Sequence, residues 1–205
     1  MVRRAMGWVV PCLGLLALAA PARPTGTAEP LSLAQLQAIM PHLPRERAEA
    51  YLKPLNEALA EYDISTPQRR AAFLAQLAHE SGELRYFEEI ASGAAYEGRK
   101  DLGNTEPGDG KRYKGRGPIQ LTGRANYRRT GKALGLDLEG HPEKAAAPDV
   151  GFRVAGWFWK THGLNELADK GDFRQITRRI NGGYRGLESR QRYYARTREV
   201  LGAGP

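Results

Sequence analysis

A glycine-rich stretch in the middle of the chain limits the folds open to it more than any other feature. Between Ser92 and Gly117 the sequence carries seven glycines, at positions 93, 98, 103, 108, 110, 115 and 117, with charged and aromatic residues between them. Glycine weakens helices and strands through its conformational entropy. Neither the 3.6-residue period of a helix nor the two-residue period of a strand is present in this stretch. We therefore predict a long loop region with room for one short hairpin, and such loops in a compact domain tend to be functional.

On both sides of this stretch the sequence predicts helices. Ser32 precedes apolar residues at helical spacing, and Thr66-Pro67 is typical of an N-cap and first helical turn, in a helix that should end at Gly82. Pro54 should interrupt or kink the helix predicted over 44–62. Further helices are expected over 124–134, 149–162, 172–180 and 187–201. The predicted fold class is mainly α, as one domain with a glycine-rich central loop region.

The first 22 residues have the layout of a secretory signal peptide. Arg3 and Arg4 precede an apolar run from Trp8 to Ala20, which ends in small residues that fit a cleavage site. The run is shorter than the ~20 apolar residues of a membrane span and contains Pro11, although an uncleaved anchoring helix is the alternative. We assign 1–22 to the signal peptide, 23–30 to a linker and 31–205 to the folded domain.

The net charge of the chain limits the kinds of partner that it is expected to bind. The 31 Lys and Arg residues against 23 Asp and Glu give a formal charge of +8, which becomes +6 if Arg3 and Arg4 are removed. A positive protein is drawn to nucleic acid, a membrane surface or an acidic polymer. No nucleic-acid recognition motif accompanies the charge, and export makes a cell-wall polymer the expected partner.

Cysteine and histidine usage argues against a metal or disulfide framework. The single cysteine, Cys12, lies in the predicted signal peptide, and the four histidines are scattered. We therefore expect no metal and no cofactor. Carboxylates remain as the candidate chemical groups.

Glu80 is the first of these carboxylates. Phe73, Leu77 and Glu80 are spaced so that they share one helical face, which places the carboxyl on an apolar stripe. Burial there and the negative end of the helix dipole should raise the pKa of Glu80, as suits a general acid near neutral pH. The alternative is a glutamate at a helix end turned to solvent.

A glycosidase needs a second carboxylate, and Glu89 follows nine residues later. On one continuous helix the two would face opposite ways, but Ser81-Gly82 should break the helix and let the chain fold back. In an inverting enzyme the two carboxyl groups are about 6.5–9.5 Å apart, with a water between them and the sugar. Glu88 and Glu97 are rivals for this role, which spacing does not exclude.

Four further motifs occur along the chain: AHESG at 78–82, YKGRGPIQLT at 113–122, WFW at 157–159 and INGG at 180–183. In this order they resemble glycoside hydrolase family 19, which contains chitinases and phage-type endolysins. The resemblance covers 33–201, and the run GRGPIQLT is its most specific part. It implies a lysozyme-like helical fold with a substrate cleft between two lobes, and an inverting mechanism.

The resemblance also implies roles for individual residues. Glu80 matches the general acid, Glu89 the general base, and Thr122 a residue that helps to hold the attacking water. The positions that match substrate-binding residues of the cleft are Tyr113, Arg116, Gln120, Tyr127 and Asn181. Plant chitinases of this family carry cysteines and a longer loop before the second acid, which this chain lacks, and its segment 96–104 resembles the endolysin branch.

Two further groups of residues have competing interpretations. Trp157 and Phe158 fall at helical spacing with Val150 and Val154, which favours the core over a sugar-binding platform. A set of C-terminal arginines could form a wall-binding face or a solvated helix surface. This set comprises Arg185, Arg190, Arg192, Arg196 and Arg198.

Together these observations predict an exported inverting glycoside hydrolase that acts on a β-1,4-linked N-acetylhexosamine polysaccharide. Peptidoglycan is expected rather than chitin, because the central loop is endolysin-like and a basic protein is attracted to an anionic wall. A chitinase and a non-catalytic wall-binding protein are the alternatives. We expect a periplasmic or extracellular monomer that has no stable membrane anchor after cleavage and does not bind nucleic acid.

Overall fold

The computed structural model describes residues 29–204. The predicted signal peptide and most of the predicted linker lie outside these residues. The helices are α1 (Leu33–Ile39), α2 (Arg45–Glu61), α3 (Pro67–Ser81), α4 (Asp109–Arg112), α5 (Arg124–Leu134), α6 (Pro148–Thr161), α7 (Leu164–Asp169), α8 (Phe173–Asn181) and α9 (Leu187–Leu201). Short 3-10 turns occupy Ala94–Tyr96, Lys100–Leu102 and Pro142–Ala146. Over 29–204 no strand forms, and β pairing is confined to isolated bridges.

The predicted helix ends are confirmed where capping residues mark them. Ser32 accepts a hydrogen bond from the Gln35 amide and forms a capping box at the start of α1. Thr66 caps α3, and Gly82 ends it in the left-handed conformation with φ 60°. The helix α2 runs through Pro54 without interruption. Ala50, whose carbonyl loses its partner to that proline, is exposed, so water can take the place of the missing donor.

Helix α3 is the centre of the fold. Its residues from Ala71 to Ala78 are all buried, and it packs along α9, while α2 packs against α6. Phe73 meets the ring of Trp159 edge to face at 5.2 Å between centroids. Phe158 is buried in the same core and Trp157 packs at its edge, as their helical spacing predicts. Within the described part of the chain, no helix has the length and apolar character needed to cross a bilayer.

The glycine-rich region has more order than the sequence indicates. Instead of a hairpin it contains isolated bridges that pair Arg116 with Glu88 and with Leu121. The buried Asn104 donates to the Tyr96 carbonyl at 2.8 Å and accepts from the Arg124 amide at 2.9 Å, so the loop is tied to the start of α5. Side-chain and backbone hydrogen bonds of this kind replace regular secondary structure here. The short helices α4 and α7 are too brief to leave a periodic signal in the sequence.

Candidate active site

The end of α3 presents Glu80. Phe73 and Leu77, on the same helical face, are buried as the spacing predicts, and the Glu80 side chain is 23% exposed. The expected apolar surroundings are interrupted by a cation, because Oε1 of Glu80 accepts a hydrogen bond from Nη2 of Arg190 at 2.5 Å. Within residues 29–204, Oε2 of Glu80 makes no hydrogen bond. One oxygen is therefore held by α9 and the other is free.

Arg190 is buried, at 2% exposure, and so does not belong to a wall-binding face or a solvated surface. Its second nitrogen, Nη1, donates to Oε1 of Gln76, and Nε2 of Gln76 donates to the Thr177 hydroxyl at 2.9 Å. This chain of hydrogen bonds joins α8, α3 and α9 beneath Glu80. A guanidinium is tolerated in the core only when such partners satisfy it.

The turn after α3 carries a second buried acid. Gly82, Glu83 and Leu84 all have positive φ, at 60°, 63° and 58°. Glu83 is 3% exposed, and its carboxylate accepts hydrogen bonds from His42 and Tyr193. These bonds outweigh the effect of burial and hold the pKa of Glu83 below its usual value. The turn reverses the chain and starts the segment that leads to Glu89.

Glu89 is held by residues of the glycine-rich region itself. Its amide donates to the Gly115 carbonyl at 2.8 Å, and the Gly115 amide donates to Glu89 Oε2 at 3.1 Å. The Tyr96 hydroxyl donates to Glu89 Oε1 at 3.0 Å. The side chain is half-buried, and both carboxylate oxygens act as acceptors. Glu89 is thus fixed in a defined orientation at the edge of the loop region.

The two rival glutamates have other contacts. Glu88 is exposed and forms ion pairs with Lys114 at 3.2 Å and Arg116 at 3.3 Å. Glu97 accepts hydrogen bonds from the amides of Gly108 and Gly110 at 2.7 and 2.8 Å, which fasten the loop to the start of α4. Of the three candidates, Glu97 is committed to the backbone and Glu88 to cations, while Glu89 is held by a hydroxyl and an amide.

Tyr113 and Tyr127, both predicted to lie at the cleft, are buried at 1% and 0% exposure. The Tyr113 hydroxyl donates to the Glu139 carbonyl at 3.0 Å, and that of Tyr127 donates to the Lys114 carbonyl at 2.8 Å. Burial raises the pKa of the Tyr127 phenol, which keeps it a neutral donor. Both rings lie in the hydrophobic core, and the Tyr127 hydroxyl fixes the backbone of the YKGRGPIQLT motif at Lys114.

Arg116 connects this motif to Glu88. It is 8% exposed, and its Nη1 donates to the Arg112 carbonyl at 2.8 Å and to the Tyr127 hydroxyl at 3.2 Å. Arg116 also lines a cavity of about 640 Å³ whose wall includes Arg112 and Arg124. Neither Glu80 nor Glu89 lines that cavity, so it is separate from the two carboxylates.

The remaining predicted residues are Gln120, Thr122 and Asn181. Gln120 has φ 59° and donates to the Gly117 carbonyl at 3.0 Å. A methyl group on Gly115 would lie 2.6 Å from Gln120 Oε1 and 3.2 Å from Glu89 Oε2, which places both side chains beside this glycine. Thr122 is fully buried and its hydroxyl donates to the Gln120 carbonyl at 2.9 Å. Asn181 ends α8 and donates to the Arg185 carbonyl at 3.1 Å.

Sequence reasoning missed the polar residues that support the site. For Arg190 a signal was present, because it shares a helical face with the apolar residues Leu187, Tyr194 and Leu201. For Glu83 and Tyr96 there was no local signal, since their partners are distant in sequence or lie in irregular loops.

Family comparisons agree with the motifs. A sequence profile of the family described as chitinase class I, glycoside hydrolase family 19, matches residues 58–170. An endochitinase of Arabidopsis thaliana is 40% identical over 157 residues, which span 73% of this chain and 54% of the plant protein. A family 19 domain-containing protein of Haemophilus influenzae is 34% identical over 158 residues, which span 62% of this chain and 76% of that protein. The chain spans about half the length of the two Arabidopsis endochitinases it matches, 54% and 48%.

Solved structures share the fold. Chitinase C of Streptomyces griseus superposes with a TM-score of 0.71 at 26% identity, over 89% of this chain and 98% of that one. A bacterial family 19 chitinase gives the same TM-score of 0.71 at 28% identity, over 85% of this chain and 96% of that one. The predicted lysozyme-like, mainly helical fold is thereby confirmed.

Proposed function

Because this chain belongs to glycoside hydrolase family 19, we propose that it hydrolyses chitin, the β-1,4-linked polymer of N-acetylglucosamine. Membership of the family makes it a glycoside hydrolase. The observation that carries the choice of substrate is that the plant relatives and the solved neighbours are named chitinases. The sequence-based expectation was peptidoglycan, and these names favour its alternative, a chitinase.

In the proposed reaction Glu80 is the general acid. Its Oε1 is occupied by Arg190, so Oε2 is the oxygen that would carry the proton to the leaving glycosidic oxygen as the bond to the anomeric carbon breaks. Proton transfer leaves Glu80 negatively charged. The guanidinium of Arg190, already in place, would stabilise that charge without rearrangement.

Glu89 is the proposed general base. Each of its oxygens accepts one hydrogen bond, from Tyr96 and from the Gly115 amide, and a carboxylate oxygen has two acceptor sites. Glu89 can therefore also accept the proton of a water that attacks the anomeric carbon from the face opposite the leaving group. This single displacement inverts the anomeric configuration.

We propose supporting roles for the other predicted residues. Gln120, next to Glu89 across Gly115, and Asn181, at the end of α8, would contact N-acetyl sugars. Tyr113, Arg116 and Tyr127 would act through the shape of the loop that holds Glu89. Thr122, buried beneath Gln120, would orient the attacking water only if the loop opens on binding substrate.

Peptidoglycan is the second candidate substrate. The observation in its favour is the positive charge, +8 for the whole chain, which attracts an anionic wall but not the neutral chitin polymer. The non-catalytic alternative has less support, because both carboxylates are present and each is held by specific hydrogen bonds.

The test compares chitin oligosaccharides and purified peptidoglycan side by side, with products identified by mass spectrometry and anomers by NMR. We expect N-acetylglucosamine oligomers whose new reducing ends first appear as the α-anomer. Glu80→Gln should lower the rate at least about 100-fold. Glu49→Gln, which loses only an exposed ion pair with Arg45, is the matched control.

Each outcome of this comparison decides one point. Release of wall fragments without chitin cleavage would replace chitin by peptidoglycan. Full activity of Glu80→Gln would remove the acid assignment, and the absence of product from both polymers would favour a binding protein.

We also propose that the protein is exported. The support is the N-terminal sequence alone, with Arg3 and Arg4 before the apolar run and small residues at its end. Expression of the full chain followed by N-terminal sequencing of the protein outside the cytoplasm tests this, and cleavage is expected near Ala20–Ala22.

A further inference from the structure

Glu83 is a buried acid that the proposed reaction does not use. It lies three residues after Glu80 and is 3% exposed. Its Oε2 accepts from the His42 amide at 2.7 Å, and its Oε1 accepts from the His42 ring at 2.9 Å and from the Tyr193 hydroxyl at 2.9 Å. A buried carboxylate with three donors from two distant segments is a specific arrangement, because burial is costly unless the charge is compensated.

The backbone around Glu83 is strained. Glu83 and Leu84 have φ 63° and 58° and follow Gly82 at 60°, so three consecutive residues lie in the left-handed region. Residues other than glycine rarely adopt this backbone conformation, and it persists only where the surroundings impose it. Ser81 contributes to this restraint, since its hydroxyl donates to the Leu77 carbonyl at 2.6 Å and accepts from the Leu84 amide at 2.7 Å.

Together, Glu80 and Glu83 attach the end of α3 to α9 at two points. Glu80 binds Arg190, and Glu83 binds Tyr193, three residues further along α9. Residues three apart are neighbours on a helix surface, so the two contacts lie next to each other on the same face of α9. The position of Glu80 relative to its guanidinium therefore depends on where the turn is fixed.

We propose that Glu83 is a positioning residue for Glu80. By fixing the turn at 82–84 to His42 and Tyr193, it holds the last turn of α3 so that Glu80 keeps one oxygen on Arg190 and directs the other to the leaving group. This role rests on the proposed function of Glu80. The same turn sets the path of the chain to Glu89, six residues later.

Two variants of the full chain test the proposal. Tyr193→Phe removes one hydroxyl that donates to Glu83 and leaves the ring in place, and Glu83→Gln keeps the shape but removes the charge. A displacement of the acid by about 1 Å can lower the rate by two orders of magnitude. We expect kcat to fall roughly 10- to 100-fold with KM within about 2-fold of the wild type, because ground-state binding of the sugar does not need the proton donor.

A matched control separates positioning from stability. Asn165→Ala also removes a buried polar side chain, one that bonds Trp159 and the Tyr62 carbonyl. It lies on α7, which meets the beginning of α3 through the pair of Arg69 and Asp169, far along the helix from Glu80. This variant should lose thermal stability and keep its kcat at temperatures where circular dichroism shows it folded.

The result that overturns the proposal is a normal kcat in Tyr193→Phe and Glu83→Gln, or a change confined to Tm or KM. If Glu83→Gln does not fold, Tyr193→Phe decides the matter alone. Glu80→Gln is measured in parallel. Activity in that variant would show that the assignment of Glu80 has failed, whereas an inactive Glu80→Gln with normal Glu83 and Tyr193 variants would show that only the positioning role has failed.

Discussion

The Nη2 atom of Arg190 lies 2.5 Å from Oε1 of Glu80, although the two residues are 110 positions apart in the sequence. The pair joins the end of the central helix α3 to α9, and Arg190 is the more buried partner, with 3% of its side chain exposed against 23% for Glu80. A buried cation is thus held at a partly open carboxyl. In the proposed reaction this ion pair has two effects: it satisfies a buried cation of the fold, and it stabilises the negative charge that forms on Glu80.

Replacement of Arg190 by lysine should lower both activity and stability. A single ammonium cannot reach Gln76 and Glu80 in the fork geometry of a guanidinium, so one buried acceptor loses its donor. We expect kcat/KM to fall about 10- to 100-fold and the free energy of unfolding to fall by roughly 1–3 kcal/mol. Hydrolysis kinetics and urea denaturation measure the two effects. Arg192→Lys, whose exposed side chain bonds Glu188 alone among residues 29–204, should behave as wild type; equal effects in both variants would contradict a specific role for Arg190.

Two isosteric variants test whether Glu89 or Glu97 is the general base. Glu89→Gln keeps its hydrogen bonds to neighbours only in part and cannot accept a proton, so kcat should fall about 100-fold or more. Glu97→Gln loosens the bonds to the amides of Gly108 and Gly110 and should reduce stability with kcat within about 5-fold. Kinetics on a chitin hexamer together with thermal denaturation give both quantities. The reverse ranking of the two rates would transfer the base to Glu97.

A single methyl group at Gly115 should impair the reaction without unfolding the protein. Its carbon would lie 2.6 Å from Gln120 Oε1 and 3.2 Å from Glu89 Oε2, so both side chains would have to move. We expect kcat/KM to fall about 10-fold in Gly115→Ala, since small displacements of positioned groups are costly. Gly204→Ala, at a position with no atom within 4 Å of the added carbon, is the control. Unchanged kinetics in Gly115→Ala would mean that neither side chain needs its present place.

Asp109 should make the loop region sensitive to acid. Arg124 bonds it at 2.5 and 2.8 Å, and these bonds, with the amides of Thr105 and Glu106, lower the pKa of Asp109. A carboxyl with a depressed pKa contributes stability above its unfolded pKa of about 3.9, and this contribution is lost as the pH falls through the folded value. Asp109→Asn should therefore be less stable than wild type at pH 7 by roughly 1.5–3 kcal/mol, with the difference shrinking below about pH 4.

Urea denaturation at pH 7 and pH 3 measures this difference. Asp172→Asn is the matched control, because Asp172 caps α8 and asparagine caps a helix about as well as aspartate. A difference between wild type and Asp109→Asn that is the same at both pH values would show that the ion pair is not the source of the acid sensitivity.

Local rules were enough to predict the longer helices of this fold. Caps at Ser32 and Thr66 and the stop at Gly82 depend on neighbouring residues only, and the structure has them where the sequence places them. The spacing of Phe73, Leu77 and Glu80 likewise placed the acid at the end of a buried helix. The order inside the glycine-rich region was not predictable, because it comes from contacts such as that of Asn104 with Tyr96 and Arg124 rather than from a repeating pattern.

The sequence by itself determined the family, the helical class and the two glutamates on either side of a helix break. Only the tertiary structure decided what surrounds them: that Arg190 is a buried partner of Glu80, that Glu83 fastens the turn to His42 and Tyr193, and that Glu97 is bound to backbone amides. The physical reason is the separation along the chain over which each kind of interaction acts. Helix capping and periodicity act over a few residues, whereas a hydrogen bond to a buried charge can come from any part of the chain that packing brings within about 3 Å.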